Sequence, residues 1–160
     1  MERQGHKRQR VLLWLLVIGC MGVIFAFSAQ AAADSEYTSS RVIRFLLTCL
    51  DREFVSLSPA EQLLRTAAWS HTVRKLAHFA VFALLGFLSF AAFSASLPPR
   101  RAFSAAAALG MVWGVLDEVH QRFVPGRSCE LRDMCIDFAG VLLGAGVMLL
   151  AIRMIKKRNE

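Results

Sequence analysis

The sequence GVLDEVHQRFVPGR, residues 114–127, decides how the chain is read. It follows AFSAAAALGMVW, residues 102–113, a run without a single charge. Asp117, Glu118, His120, Gln121, Arg122 and Arg127 then fall within eleven positions. A spanning helix needs about 20 mostly apolar residues, within a range of about 17–25. The run at 102–116 reaches that length only if Asp117 to Gln121 continue the same helix. Their side chains are therefore expected in the membrane or at its rim.

Three more apolar runs stand beside it: VLLWLLVIGCMGVIFAF (11–27), LAHFAVFALLGFLSFAAFSASL (76–97) and FAGVLLGAGVMLLAI (138–152). The first two can span alone. The third needs Asp133 to Asp137 to reach the length. Hydrophobic residues make up 56% of the 160, against roughly 45–50% in a soluble domain. The fold class expected is all-α, a four-transmembrane-helix bundle. The spans are placed at 11–32, 73–97, 101–122 and 133–155 within one membrane domain, 11–155, between basic tails at 1–10 and 156–160.

The formal net charge is +7. No nucleic-acid partner is inferred from it, because Lys and Arg flank membrane spans on the cytoplasmic side. The segments RQGHKRQR, PPRR and RMIKKR hold ten of the nineteen Lys and Arg, and their only acidic neighbours are Glu2 and Glu160. Both termini are thus expected in the cytoplasm of a bacterial cell, with loops 34–72 and 122–132 outside the cytoplasmic membrane. Arg41, Arg44, Arg52 and Arg65 in the first loop run against this pattern. The N-terminus imitates a signal peptide, but its apolar core exceeds the usual 7–15 residues, so the segment is read as a retained span. Cys20 is expected mid-span, and Cys129 and Cys135 are read as free.

The first outer loop is not featureless. In RVIRFLLTCLDREF, Val42, Leu46, Cys49 and Phe54 lie near one helical face, with Ile43, Leu47 and Leu50 beside it. This predicts an amphipathic helix on the membrane interface or lidding the bundle. SPAEQLLRTAAW predicts a second short helix, with Ser58 as cap, Pro59 in the first position and Glu61 completing a capping box. The next span is then expected to start near Thr72. Pro98 and Pro99 end that span. Pro125 and Gly126 suit the centre of a type II turn. Gly140, Gly144 and Gly146 allow close helix approach, the first two as a GxxxG pair.

Helical rise gives depth. Measured from the cytoplasmic helix ends, His78 lies at roughly 28 Å, Asp117 at roughly 23 Å, Asp137 at roughly 24 Å and Asp133 at roughly 30 Å. Three helices place ionisable groups at similar depth, where each is costly against lipid. Mutual facing across an internal cleft is the expected arrangement. Asp117, His120 and Gln121 share a face, with Glu118 turned about 100° away, beside Arg122. Asp133 and Asp137 form a like-charge i,i+4 pair that needs a cation, with Arg127 first and Lys75 second. Arg74, Arg122 and Arg132 are read as helix-end anchors that snorkel, Glu118 as an ion-pair partner of Arg122, His6 and His71 as surface residues, and Trp69 and Trp113 as interface and packing residues.

RKLAHF (74–79) followed by DEVHQRFVPGRSCELRDMCIDFAGVLLG (117–144) resembles the VanZ-like family of bacterial membrane proteins. The matching positions are Lys75, His78, Asp117, Glu118, Gln121, Pro125, Gly126, Arg127, Asp133, Asp137, Gly140 and Gly144. FSAQAAADS (27–35) adds Ser28, Gln30 and Ser35, although the stretch between Gln30 and Ser35 is Ala-rich and lacks the Pro or Gly of the pattern. The family is named for a protein associated with teicoplanin resistance, so the resemblance implies an envelope role.

Three functions fit these residues. The first is a binding or envelope-modulating protein, with Arg127, Lys75 and His78 holding the phosphate or carboxylate of an anionic lipid or cell-wall precursor. Lys75, His78, Asp117, Glu118, Gln121, Arg127, Asp133 and Asp137 then bind ligand or organise the site, Pro125, Gly126, Gly140 and Gly144 are structural, and no cofactor is needed. The second is an intramembrane enzyme in which Asp117, Asp133 and Asp137 hold a divalent cation against a lipid diphosphate and His78 is acid or base. The third is a proton-coupled carrier. No nucleophile motif, phosphate loop or metal motif assigns a catalytic residue, and whether the protein is an enzyme stays open. The bilayer is a partner in every case. Four helices are few for a monomeric carrier, so a homo-oligomer stays open.

Overall fold

The computed structural model describes residues 2–158, without the side chains of Glu2, Arg3 and His6, so the expectation for His6 and the last two residues of the C-terminal tail lie outside the described residues. Within it, the chain forms α1 (Glu2–Ser28), α2 (Ala32–Leu50), a 3-10 turn (Phe54–Ser56), α3 (Pro59–Ser94), α4 (Pro99–Gln121) and α5 (Leu131–Arg158). There is no strand among the described residues. The helices α1, α3, α4 and α5 are long and apolar enough to cross a membrane.

α5 packs most extensively on α3, and α4 and α1 flank that pair. The central core joins Val17 and Ile24 of α1 to Phe82 and Leu85 of α3 and Val141 of α5. A second cluster, Phe90, Ala102, Ala106 and Ala145, closes the bundle nearer the chain termini. At that end the ring of Trp14 meets Phe93 edge-on, with centroids 5.0 Å apart, and Arg10 donates to Ser96. Leu12, Leu15, Ile18 and Val23 remain exposed on α1, and Met111, Val112, Leu116 and Val119 on α4. An apolar outer surface is what helices solvated by lipid tails present.

Glycine sets the spacing of the α3–α5 pair. A Cβ at Gly144 would run into the backbone carbonyl of Ala83, and one at Gly86 into the carbonyl of Val141. At Gly140 it would lie 2.5 Å from the carbonyl oxygen of Phe79. Both members of the GxxxG pair thus face α3. Gly146 does not take part, since open space surrounds its Cβ position.

Several boundaries differ from the sequence reading. The first span does not reach residue 32: α1 stops at Ser28 and α2 starts at Ala32. The basic segment 2–10 extends α1 rather than hanging free. The stretch from 34 to 72 is almost wholly helical, and the short helix from Pro59 and the next span are one 36-residue helix. The capping box of Ser58 and Glu61 is present, and with no Gly or Pro between 60 and 85 nothing interrupts the helix. At about 1.5 Å per residue, it is longer than a bilayer's hydrocarbon is thick. On α2 the buried face is Ile43, with Leu47 half-buried, while Val42, Leu46 and Cys49 are exposed. Phe54 is buried as expected, but from the 3-10 turn.

Replacing Gly144 by Ala should force α3 and α5 apart and cost about 1–3 kcal/mol, the usual cost of overpacking. Thermal melting in detergent should show a clear loss for Gly144→Ala and none for Gly146→Ala. Equal melting of the two would contradict the glycine seam.

Candidate functional site at the loop end of the bundle

The α1–α2 corner, the first half of α3, the end of α4 and the start of α5 meet at the end of the bundle away from the chain termini. The corner is fixed by the Pro-Gly turn. Gly126 has φ +74°, and Arg127 N–H donates to the Val124 carbonyl at 3.1 Å, the pattern of a type II turn. The turn then docks outward. The Pro125 carbonyl accepts from Ala32 N–H at 3.2 Å, and Arg127 Nε donates to the Gln30 carbonyl at 3.3 Å. One loop thus receives both sides of the break between α1 and α2.

Beneath it lie three buried carboxylates. Asp117 (4% exposed), Glu118 (1%) and Asp137 (1%) sit on the inner faces of α4 and α5. Asp117 Oδ2 accepts from Ser28 Oγ at 2.7 Å and from Gln121 Nε2 at 3.1 Å. Gln121 also donates to Ser28 at 3.3 Å. Glu118 Oε2 accepts from the backbone N–H of Glu130 at 2.9 Å, which holds the entrance to α5. Asp137 Oδ1 faces His78 Nδ1 at 3.7 Å, an ion pair when the imidazole is protonated. Lys75 bonds Asp133 and lies 3.6 Å from Glu130. With Ser128 donating to it and Lys75 near, the Glu130 carboxyl is held below the usual carboxylate range.

These contacts revise three assignments. Asp133 takes its cation from Lys75 and not from Arg127, because position 75 on α3 lies directly across from α5 whereas Arg127 is drawn to the α1–α2 corner. Glu118 is no surface partner of Arg122; it points inward and caps the loop before α5. His120 makes no hydrogen bond to the polar group among the described residues and stacks on Phe25, with ring centroids 4.3 Å apart.

Two residues join the site that sequence reasoning did not place there. Ser28 closes the hydrogen-bonded set with Asp117 and Gln121. Arg74, read as a snorkelling anchor, lines a cavity of about 230 Å³ together with Lys75, His78, Gln121, Arg127 and Asp137. Arg74 has no hydrogen-bond or ion-pair partner among the described residues, and its charge acts on Arg127. Partial burial and this neighbouring cation pull the Arg127 guanidinium below its ordinary value. The position of Arg74 four residues before His78 was the available signal, since i,i+4 residues share a face. His71, expected on the surface, is exposed and also lines the cavity.

The arrangement offers two kinds of chemistry. Two guanidinium groups that make no ion pair among the described residues border a cavity large enough for a small anion, whose lining also includes Glu36, Glu130 and Asp133. Deeper, one ligand-type atom each from His78, Asp117 and Asp137 lies within 4.8 Å of the others. Asp117 Oδ1 and both oxygens of Asp137 lack a hydrogen-bond partner among the described residues. A cation held there would use His78 in place of Asp133, which Lys75 occupies.

Residues 13–152 match the model of the VanZ/LLP1 family. The chain belongs to the VanZ/LLP1 family. The match runs through all four spanning helices and includes every residue of the polar site. No curated protein and no solved structure is a match. As a VanZ/LLP1 protein with four apolar helices, the chain is a membrane protein.

Ser28→Ala removes the hydroxyl that bridges Asp117 and Gln121. Hydrogen bonds to charged groups contribute about 1.5–3 kcal/mol, so detergent melting should fall by a corresponding amount. Ser28→Ala and Gln121→Ala combined should cost less than the sum of the two, because both act through Asp117. Strict additivity would show that the three do not form one network.

Proposed function

We propose that this VanZ/LLP1 protein binds an anionic group of a lipid or cell-wall precursor in the polar cavity, and that the cavity opens on the outer face of the bacterial cytoplasmic membrane. The observation that carries the reading is the pair Arg74 and Arg127, two guanidinium groups that border one cavity and make no direct ion pair with its carboxylates, Glu36, Glu130, Asp133 and Asp137, among the described residues. Like charges held together in a partly buried site are unfavourable until an anion answers them. Arg recognises phosphate and carboxylate with a planar fork, and only Nε of Arg127 is engaged, on Gln30. The charge bias of the loops supports termini in the cytoplasm. Sequestering or modifying access to an envelope precursor is then the route to glycopeptide (teicoplanin) tolerance.

A second reading makes His78, Asp117 and Asp137 a divalent-cation site of an intramembrane enzyme acting on a lipid phosphate. Its support is the convergence of three ligand atoms and the two Asp137 oxygens, which accept no hydrogen bond among the described residues. Titration of the purified protein with Zn²⁺ or Mn²⁺ distinguishes it: binding lost in Asp137→Asn favours the enzyme, and no binding leaves the anion site alone.

Two measurements test the main reading. Cys129 is exposed in the loop before α5. With the other three cysteines replaced, it should react with a membrane-impermeant thiol reagent in intact cells or spheroplasts, whereas a cysteine placed at Arg100 should not. The reverse pattern would put the cavity on the cytoplasmic side. Arg127→Lys should retain folded protein yet lose glycopeptide tolerance in a susceptible host, because Lys keeps the charge without the fork. Loss of tolerance only in step with loss of folded protein would leave Arg127 a structural residue.

A further inference from the structure

A second cavity, of about 240 Å³, lies between the end of α1, the first half of α2 and the middle of α3. Ile24, Phe27, Val42, Val73, Ala77 and Val81 give it apolar walls. Thr38 and Ser39 also border it, but each hydroxyl donates to a carbonyl of its own helix, Asp34 and Ser35 respectively. Both hydroxyls are thereby satisfied without a ligand. Phe27 (55% exposed) and Val42 (48%) stand at the slot's edge and leave it accessible from the surrounding lipid.

The two cavities share three residues: Arg74, His78 and Arg127. On one side of the two arginines lies a polar chamber, and on the other an apolar slot between helices. A water-soluble anion would occupy the first and leave the second to lipid or to void. Apolar cavities of this kind do not hold water well and accept hydrocarbon. The slot exists because α1 stops at Ser28 and α2 turns away at Ala32, and the Pro125–Arg127 turn holds that corner open. Arg127 thus fixes the slot's geometry and presents the charge at its end.

We propose that the ligand is an amphiphile, a lipid phosphate whose headgroup lies between Arg74 and Arg127 and whose hydrocarbon chain lies in the slot between α1, α2 and α3. This rests on the anion-binding reading above and adds the chain to it. The ligand would reach the site sideways from the membrane, past Phe27 and Val42, with its phosphate entering the polar cavity last.

The experiment compares decyl phosphate with methyl phosphate on the full-length protein held in amphipol, which avoids partitioning into free micelles. Wild type should bind decyl phosphate at least tenfold more tightly than methyl phosphate. Ala77→Phe fills the slot and leaves both arginines in the chain; it should abolish that advantage and leave methyl phosphate binding unchanged. Should Ala77→Phe not fold, Val42→Phe fills the slot from the α2 wall and should behave alike. Arg127→Lys should weaken both probes. Decyl maltoside, with the same chain and no charge, should not displace decyl phosphate. Equal affinity of the two phosphates for wild type would overturn the slot and leave the anion site standing. A chain advantage that survives both filling variants would also overturn it. Binding of neither phosphate would remove the anion reading itself.

Discussion

Three carboxylates buried at one end of a membrane bundle constrain everything around them. Asp117, Glu118 and Asp137 lie on the inner faces of spanning helices, where a charge is costly and an unpaired one more so. Each is answered from a different part of the chain. Ser28 comes from α1 to Asp117, His78 from α3 to Asp137, and the backbone of Glu130 to Glu118. The polar set therefore specifies how the loop end assembles, because a shift of α1 or α3 by one turn would strand a buried charge. The glycine seam between α3 and α5 supplies the closeness that lets His78 and Lys75 reach across.

The Pro-Gly turn links this polar core to the membrane surface. Its positive-φ glycine lets the chain reverse between α4 and α5, and the reversed segment then binds the α1–α2 corner through Pro125 and Arg127. The connection between the last two helices is thus tied to the break between the first two. The same turn aims the Arg127 fork at the cavities. Structure and recognition share one side chain here, with Nε committed to the backbone and the remainder of the guanidinium facing open space.

Family and geometry speak at different levels. The VanZ/LLP1 match gives the class of protein, and the four apolar helices agree with it. The geometry adds a division of labour within the polar residues. Lys75 neutralises Asp133 and Glu130 and so belongs to the frame. Arg74 and Arg127 make no direct ion pair among the described residues and border the cavities, which is why the proposed ligand is anionic. His78 borders both cavities and the carboxylate cluster, and any change in its protonation would be felt in all three.

The sequence by itself determined the membrane class and the four long apolar helices. These follow from run length and composition, both of which are local. It also determined the Pro-Gly turn, the capping box at Ser58 and the GxxxG pair, whose geometry is set by a few adjacent residues. Tertiary structure alone decided which charge meets which. Arg127 and Lys75 were both eligible partners of Asp133, and only the packing of α3 against α5 selected Lys75. Glu118 had an eligible partner at Arg122 one turn away, yet the loop before α5 drew it inward. The continuity of α3 and the break after Ser28 were also hidden, since polar residues at a membrane rim are compatible with helix or loop. Side-chain partners at i,i+4 can be enumerated along a chain, but the choice among partners on different helices depends on how those helices are rotated and spaced, which no local pattern encodes.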